Sequence, residues 1–337
     1  MKMAVMGTGS LGTIFGAYVT KAGHSIDMID VYKEHVDALN KNGARIIGTV
    51  NFVQPVKAIT PDQMEGIYDI IFYLTKQTYN DQAFKQMKPH VGKDTVIVSM
   101  QNGMPERALS KEFGEEHVMG CPVGWGALLK EPGVSESTTV QDKWTFEVGQ
   151  IDGKVTPKLE KVKGILETMC PTIITRNLLG SRWTKVFVNA TFSGMTAATA
   201  CLYGDILASE KHLLCAKYAG NEIVKIAKKA GIKMEPWLGV EPEKVAFSTI
   251  AERDANTPLY EKMFGPHRLV RASMLLDLER GRKCEINAIN GVVCEMGDEY
   301  GIDTPLNDQI VDIVTRVQDG KLKLGNHIDL FKIPDVI

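Results

Sequence analysis

Three glycines near the start of the chain have the spacing of a phosphate-binding turn. Gly7, Gly9 and Gly12 follow a short apolar run and precede a segment of helical character. The first glycine allows a tight bend, the second lets the backbone approach a pyrophosphate, and the third lets the helix lie close on the strand. Glycines also mark ordinary strand-to-helix turns, but both flanking segments here agree with dinucleotide binding. We therefore expect a dinucleotide to contact the whole turn: Gly7, Thr8, Gly9, Ser10, Leu11 and Gly12.

The acidic residue Asp30, which closes the next apolar run, indicates which dinucleotide is preferred. A carboxylate at this position can accept hydrogen bonds from the adenosine ribose hydroxyls, and it repels the additional phosphate of NADP(H). NAD(H) is therefore favoured over NADP(H). Two alternatives stay open, because Asp30 could be a solvated acid at a strand end and Lys33 could offset its charge.

A polar stripe runs along an otherwise apolar helical segment from Trp183 to Cys201. Its residues Lys185, Asn189 and Ser193 recur every fourth position, which places them on one face of a helix. Burying a lysine beside an asparagine without a function costs desolvation free energy. The stripe therefore either faces solvent or lines a polar cleft.

Further candidates stand directly after apolar runs, where parallel sheets bind their ligands. Lys76 follows YDIIFYLT, Asn102 follows TVIVSMQ, and Trp125 and Gly126 follow VMGCPVG. We expect these positions to line the cofactor groove, with the Asn102 amide offered to nicotinamide or substrate. An ordinary loop residue is the alternative, and it is strongest for Lys76.

Short β runs alternate with helical segments through roughly residue 176. This alternation predicts a Rossmann-like α/β domain over residues 1–176, built on a mostly parallel sheet with crossover helices, to which the later runs add antiparallel edge strands. The β runs are MKMAVMG, SIDMID, ARIIGTV, YDIIFYL, DTVIVSMQNG, HVMGCPVGW, WTFEVG and PTIITR.

The character of the chain changes after Arg176, where helical periodicity replaces the strand signals. We therefore predict an all-α domain over residues 177–337. The helical segments are RWTKVFVNATFSGMTAATACLYG, KHLLCAKYAGNEIVKIAKKAG, RLVRASMLLDLERG and EINAINGVVCEMGDEYG. The stretch 235–267 is rich in proline and turn residues, and we expect an irregular excursion between two helices there.

Composition narrows the class of protein. A chain of 337 residues is long enough for two domains, and a net charge of −2 gives no field that attracts nucleic acid or an anionic membrane. The six cysteines have no metal-ligand spacing, so we expect no metal site and no disulfide framework. No secretory leader or long apolar stretch is apparent. We expect a cytoplasmic protein with a small-molecule partner, and the composition leaves a homodimer open.

Several motifs occur in order along almost the whole chain. They are GTGSLG, LTK, QNG, the W-x-K-x-x-x-N that contains Lys185 and Asn189, and SMLLDLERGRKCEINAINGVV. Together they resemble the ketopantoate reductase (2-dehydropantoate 2-reductase) family. The last motif is the most specific, because the following residues all fall as the family has them: Ser273, Asp277, Gly281, Arg282, Glu285, Asn290 and Gly291.

The resemblance implies reduction of a 2-oxo acid, with hydride from a nicotinamide cofactor. By this resemblance, Lys185 is the general acid and Glu285 braces it, although a carboxylate favoured by a helix dipole is the alternative reading of Glu285. Asn189 and Ser273 are then expected to hold the 2-oxo acid. The expected dinucleotide contacts are Lys76, Asn102 and the region of Gly126.

The chain departs from the family pattern at three positions. Ser193 stands where ketopantoate-using members carry a second asparagine, the bulky Trp125 precedes Gly126, and Asp30 replaces a cationic or neutral strand end. We expect Ser193 and Trp125 to border the substrate. A shorter side chain on one wall and an indole on another fit a different 2-oxo acid. NAD-dependent D-2-hydroxyacid dehydrogenases of the mandelate type are therefore the near alternative.

Two other classes of protein share the glycine turn. A flavoprotein would also carry an acid at Asp30, but no second flavin-contacting signature is apparent. A non-catalytic dinucleotide sensor would need the turn without Lys185, Asn189 and Glu285 together, so their joint presence favours an enzyme.

Overall fold

Every strand in residues 1–334, the part of the chain that the computed structural model describes, lies in the first of two units, Met1–Leu178. The strands in chain order are β1 (Met3–Met6), β2 (Ile26–Ile29), β3 (Ala44–Gly48), β4 (Phe52–Gln54), β5 (Lys57–Ile59), β6 (Tyr68–Tyr73), β7 (Val91–Ser99), β8 (Val118–Gly120), β9 (Ala127–Glu131), β10 (Val134–Ser137), β11 (Phe146–Gln150) and β12 (Thr172–Ile174).

Helices accompany these strands and make up the second unit, which runs from Leu179 onward. The first five are α1 (Ser10–Lys21), α2 (Lys33–Asn42), α3 (Asn80–Met87), α4 (Pro105–Phe113) and α5 (Pro157–Leu166). The others are α6 (Leu178–Val188), α7 (Gly194–Thr199), α8 (Tyr203–Ala208), α9 (Glu210–Lys229), α10 (Ile250–Ala255), α11 (Thr257–Phe264), α12 (Ser273–Glu279), α13 (Val292–Tyr300) and α14 (Pro305–Gln318).

The first unit is built on an eight-stranded sheet of order β12-β11-β8-β7-β6-β1-β2-β5. Neighbouring strands pair in parallel except β11, which is antiparallel to β8. The central strands are continuous apolar runs because helices cover both faces of a parallel sheet; all four residues of β1 are buried. The Rossmann-like α/β class and the antiparallel addition by a later strand are confirmed.

A second, four-stranded sheet of order β4-β3-β10-β9 was not foreseen from the sequence. The run ARIIGTV, expected in the main sheet, instead forms β3 and pairs in parallel with β10. The run HVMGCPVGW contributes only the three residues of β8, because Pro122 lacks a donor for the ladder and is followed by Gly124 and Gly126. Local pattern did not reveal this sheet, because its strands are short and pair with distant partners.

Apart from one isolated β-bridge between Trp237 and Val240, the regular secondary structure of the second unit is helical in the part that the structure describes, which confirms the all-α expectation. The helix expected from Trp183 to Cys201 is interrupted, however. A π-helical turn, Asn189–Ser193, separates α6 from α7, and a second π-helical turn, Asn287–Gly291, precedes α13. We call these the first and the second π-turn. Such turns are frequent at functional sites.

The prediction of an irregular excursion over 235–267 is only partly right, because the stretch lies between α9 and α12 and is largely irregular up to residue 249, but not beyond it. The segment contains α10 and α11, flanked by short 3₁₀ turns. A local cap starts α10: the Thr249 hydroxyl accepts a hydrogen bond from the Glu252 amide, and the Glu252 carboxylate accepts one from the Thr249 amide. Helices of six and eight residues are too short to show a clear period among the prolines.

Within residues 1–334, no helix is both long and apolar enough to cross a bilayer. The same residues contain no cluster of three or more His, Cys, Asp or Glu side chains able to hold a metal ion. All six cysteines lie in this range as free thiols.

Candidate active site

The glycine turn joins β1 to α1, and its backbone geometry explains the need for each glycine. Gly7 has a φ of +95°, and a Cβ atom there would lie 2.5 Å from the Thr75 backbone nitrogen. A Cβ on Gly12 would collide with the carbonyl oxygen of Gly7. At Gly9 a Cβ would meet nothing within 4 Å, so a ligand can approach the backbone there.

This turn lies at the switch point of the sheet, where open α/β sheets bind their ligands. The chain runs outward from β1 through β2 to β5 and then returns to β6 on the other side of β1. The loops that follow β6 and β7 meet beside the turn. The Gln77 side chain donates a hydrogen bond to the Asn102 backbone carbonyl, and the Gln101 side-chain amide donates one to the Thr75 backbone carbonyl. The structure therefore brings the loops that carry Lys76 and Asn102 together at this edge.

Asp30 follows β2 at the same edge and is half-buried. Its carboxylate accepts a hydrogen bond from the Tyr32 amide at 3.0 Å and lies 3.4 Å from the Thr8 hydroxyl. Lys33 does not pair with Asp30, because its ammonium lies 2.8 Å from the Asp37 carboxylate. In residues 1–334 no cation lies within ion-pair distance of Asp30. Its negative charge is therefore uncompensated at the strand end.

Trp125 and Gly126 directly precede β9, a strand of the second sheet. The Gly126 amide donates to the Thr139 hydroxyl at 3.0 Å. The Trp125 indole is buried in the apolar core, where it stacks on Trp144 with 5.0 Å between ring centroids and meets Phe146 edge-on. This placement favours a packing role for Trp125 over the substrate contact expected from the sequence.

Replacing Trp125 with Ala should lower the free energy of unfolding by about 2 kcal/mol, less than a typical tryptophan truncation, because the buried indole N–H has no hydrogen-bond partner among residues 1–334. Urea unfolding of the variant measures this loss. The ranking of 2-oxo acids by kcat/KM should stay the same. A changed ranking would support substrate contact instead.

In the second unit, Lys185 and Asn189 stand out from a buried helix. From Gly180 to Thr199 every residue is buried except these two, and both are only half-buried. The arrangement is not the fully solvated stripe of an ordinary surface helix. It is the pattern of a buried helix that leaves one ammonium and one amide partly accessible.

Ser193 differs from the other two residues of the stripe. It closes the first π-turn and is buried, and its hydroxyl lies 2.8 Å from the Tyr203 hydroxyl. The wider π-turn changes the angular spacing, so every fourth residue no longer falls on one face. This hydrogen bond inside the protein favours a structural role for Ser193 over the expected substrate contact.

The segments that carry Asn189 and Glu285 are hydrogen-bonded to each other. Asn290, in the second π-turn, donates its side-chain amide to the Ala190 carbonyl in the first π-turn at 2.9 Å. Glu285 is buried just before the second π-turn. Ser273, by contrast, is exposed at the first position of α12. The structure thus joins two of the predicted segments and leaves the Ser273 side chain at the surface.

A buried carboxylate, which the sequence did not single out, supports this pair of turns. Asn290 also donates to the Asn307 side chain at 2.9 Å, and Asn307 donates to Glu222 at 2.6 Å. Glu222 further accepts the backbone amides of Leu306 and Asn307 at the start of α14. Burial raises the pKa of Glu222 to about 7, although these three donors oppose the shift.

The raised pKa of Glu222 predicts a pH dependence of stability. A carboxyl group whose pKa is higher in the folded than in the unfolded protein stabilises the fold at low pH, and this contribution disappears as pH rises through the folded value. Relative to a Glu222→Gln variant, the wild-type free energy of unfolding should therefore fall by about 2 kcal/mol between pH 4.5 and about 7. Urea titrations of both proteins across this range measure the difference. A difference that stays constant or rises would contradict it.

Two signals in the sequence could have indicated α14. Pro305 stands at the first turn of the helix, and LNDQIVDIVTRVQ has a helical apolar period. Glu222 is buried on α9. The sequence alone does not show whether a glutamate in such a helix caps another helix or faces solvent.

A parallel sheet with a glycine turn at its switch point, joined in one chain to a helical unit, defines a dinucleotide-binding protein of the two-domain oxidoreductase class. The family model described as Ketopantoate reductase PanE/ApbA matches residues 3–153, and the model of its C-terminal part matches residues 177–318. The chain belongs to the ketopantoate reductase family, a family of oxidoreductases.

Individual relatives support this membership over nearly the full length. The 2-dehydropantoate 2-reductase of Pyrococcus horikoshii is 29% identical over 309 residues, which cover 91% of this chain and 94% of the relative. The Aquifex aeolicus 2-dehydropantoate 2-reductase is 28% identical over 318 residues, 93% of this chain and 96% of the relative.

Solved structures share the fold at lower identity. A ternary structure of D-mandelate dehydrogenase with NADH and anilino(oxo)acetate has a TM-score of 0.81 at 22% identity, covering 95% of this chain and 99% of that one. A PanE/ApbA family ketopantoate reductase from Ralstonia eutropha JMP134 has the same TM-score, identity and coverage.

Proposed function

We propose that this protein reduces a 2-oxo acid to the 2-hydroxy acid, with ketopantoate as the substrate, pantoate as the product and NADH as the preferred reductant. The observation that carries the proposal is the exposure pattern of residues 180–199, in which Lys185 and Asn189 are half-buried and every other residue is buried. The relatives named 2-dehydropantoate 2-reductase support the choice of ketopantoate. We keep the domain boundary at residue 176, close to the division of the structure after Leu178.

The residues at the switch point fit a dinucleotide. The open backbone at Gly9 and the start of α1 suit a pyrophosphate, and Asp30 suits the adenosine ribose hydroxyls. We assign further contacts to Lys76 and Asn102, whose loops meet at this edge, and to Gly126. When bound, the nicotinamide supplies the hydride.

The protein's own contribution to the reaction is a proton and a fixed geometry. As the carbonyl carbon of the 2-oxo acid is reduced, negative charge develops on its oxygen. The Lys185 ammonium stabilises this charge and then donates its proton to the oxygen, which becomes the hydroxyl of the product. Asn189 holds the substrate through its amide, and the buried Glu285 orients the ammonium. Ser273, exposed at the start of α12, is assigned to the substrate on the family resemblance.

The preference for NADH rests on the surroundings of Asp30. Because Lys33 pairs with Asp37, none of the cations in residues 1–334 pairs with the Asp30 carboxylate. An additional phosphate beside that carboxylate would be repelled. The family as such binds dinucleotides, and a neighbouring D-mandelate dehydrogenase structure contains NADH.

A second candidate is an NAD-dependent D-2-hydroxyacid dehydrogenase of the mandelate type. One observation favours it: the Asp30 carboxylate, which no cation in residues 1–334 pairs with and which suits the ribose of NAD. The fold likeness to D-mandelate dehydrogenase is compatible with this candidate. For either activity we assign the protein to the cytoplasm, where its free thiols would remain reduced, and its oligomeric state stays open.

Initial rates with ketopantoate, 2-oxoisovalerate and phenylglyoxylate, each with NADH and with NADPH, test the proposal. We expect the highest kcat/KM for ketopantoate with NADH. A maximum with phenylglyoxylate would establish the mandelate-type alternative. Tight dinucleotide binding without turnover of any 2-oxo acid would indicate a non-catalytic sensor and would contradict the proposal.

A further inference from the structure

Three consecutive carbonyl groups of the glycine turn are held by hydrogen bonds from side chains of the protein. The Thr8 carbonyl receives hydrogen bonds from His35 Nε2 at 2.8 Å and from the Thr13 hydroxyl at 2.7 Å. The same hydroxyl lies 2.7 Å from the Gly9 carbonyl. The Ser10 carbonyl accepts from the Ser135 hydroxyl at 2.7 Å. Three consecutive peptide groups are therefore fixed in orientation.

The orientation of these carbonyls determines where the next amides point. In a trans peptide the C=O and the N–H point in opposite directions. The carbonyls of Thr8, Gly9 and Ser10 are turned toward the protein. The N–H groups of Gly9, Ser10 and Leu11 are therefore turned outward. Within the described residues 1–334, these three amides make no hydrogen bond to the protein. They are the donors available to an anion at the start of α1.

His35 contributes to this arrangement from α2. Its ring is 1% exposed, and its Nδ1 accepts the Gly133 amide from the turn between β9 and β10 at 3.0 Å. Because Nδ1 accepts, Nε2 must carry the proton that the Thr8 carbonyl receives. Burial lowers the pKa of His35, although the charge of Asp30 opposes this shift. The lowered pKa favours the neutral ring at pH 7.

We propose that His35 is a positioning residue for the dinucleotide: it holds the Thr8–Gly9 peptide so that the Gly9 amide faces the pyrophosphate. The inference rests on the proposed dinucleotide cofactor. His35 touches no part of the ligand in this role. Its effect should therefore appear only for ligands that contain a pyrophosphate, which separates it from a residue that merely stabilises the fold.

Binding of two ligands to His35 variants tests the inference. ADP-ribose contains the pyrophosphate, and adenosine does not. Losing the oriented amide in His35→Leu should weaken ADP-ribose binding by about 10-fold or more, while adenosine binding changes by less than about 2-fold. In His35→Gln, the side-chain oxygen can accept from Gly133 and the side-chain nitrogen can donate to Thr8. This variant should therefore bind ADP-ribose within about 3-fold of wild type. Isothermal titration calorimetry measures all of these constants.

A second pair of variants keeps the test decisive if His35→Leu does not fold. Thr13→Val removes the hydroxyl that holds the same carbonyls and should give the same selective loss. Thr20→Val removes a comparable hydroxyl of α1 that bonds the Gly16 carbonyl, far from the turn, and should change neither ligand. Equal weakening of both ligands in the folded variants, or no weakening of either, would overturn the inference. A wild-type protein that binds no ADP-ribose would overturn the dinucleotide site itself.

Discussion

Turnover of the accepted 2-oxo acid should fall by about 100-fold or more when Lys185 is replaced by Ala, because the developing alkoxide loses its proton donor. Lys185→Arg should be nearly as slow, since a guanidinium keeps the positive charge but does not release a proton near neutral pH. NADH binding should be unchanged in both variants, because the dinucleotide is assigned to residues of the first unit. Steady-state rates and NADH fluorescence titrations measure these effects.

Glu285→Ala is the comparison that separates a proton donor from the group that orients it. Removing the brace should be less severe than removing the lysine, because the ammonium remains and only its orientation is lost. Near-normal reduction by Lys185→Ala would eliminate the general-acid assignment. A Glu285 variant slower than the lysine variant would reverse the two roles.

Replacing Asp30 with Ser should shift the ratio of kcat/KM for NADH over NADPH by about 10-fold or more toward NADPH, because the variant loses a ribose acceptor and no longer repels a phosphate. Asp30→Arg should shift the ratio further, since a guanidinium attracts that phosphate. Initial rates at matched concentrations of the two cofactors measure the ratio.

Lys33 offers a matched control for Asp30 on the neighbouring surface. Its ammonium is exposed and pairs with Asp37, so Lys33→Ala should leave the cofactor ratio within about 2-fold of wild type. A wild-type protein that already prefers NADPH strongly would contradict the assigned role of Asp30. A large change in Lys33→Ala would show that this lysine governs the choice.

The elements that position the cofactor were predictable because their signals are local. The apolar runs of β1, β2 and β6 and the glycine spacing each occupy a few consecutive residues, and they suffice to place the turn in a parallel sheet. The second sheet was not predictable in this way. Strands such as β4 (FVQ) and β10 (VSES) carry little apolar character, and β10 finds its partner β3 far away in the sequence.

The candidate site in the second unit was predictable in its residues but not in its geometry. The four-residue spacing of a helix identified Lys185 and Asn189 as candidates. It also included Ser193, because the pattern of apolar residues does not reveal the π-turn that changes the spacing. His35 was missed for a related reason. On α2 it shares the buried face with Val36 and Leu39, where sequence alone indicates a core residue. Its hydrogen-bonding partners, which include the Thr8 carbonyl and the Gly133 amide, became apparent only once distant segments were brought together.

Transfer of deuterium from NADH to the product is the most direct test of the central claim, that this chain reduces the carbonyl carbon of a 2-oxo acid. Ketopantoate is incubated with the enzyme and with NADH that carries deuterium at both positions of nicotinamide C4, and the product is analysed by mass spectrometry and NMR. The account predicts pantoate with a single deuterium on its carbinol carbon, formed at a rate that falls with Lys185→Ala. Product without deuterium at that carbon, or no hydroxy acid from any 2-oxo acid tested, would contradict it.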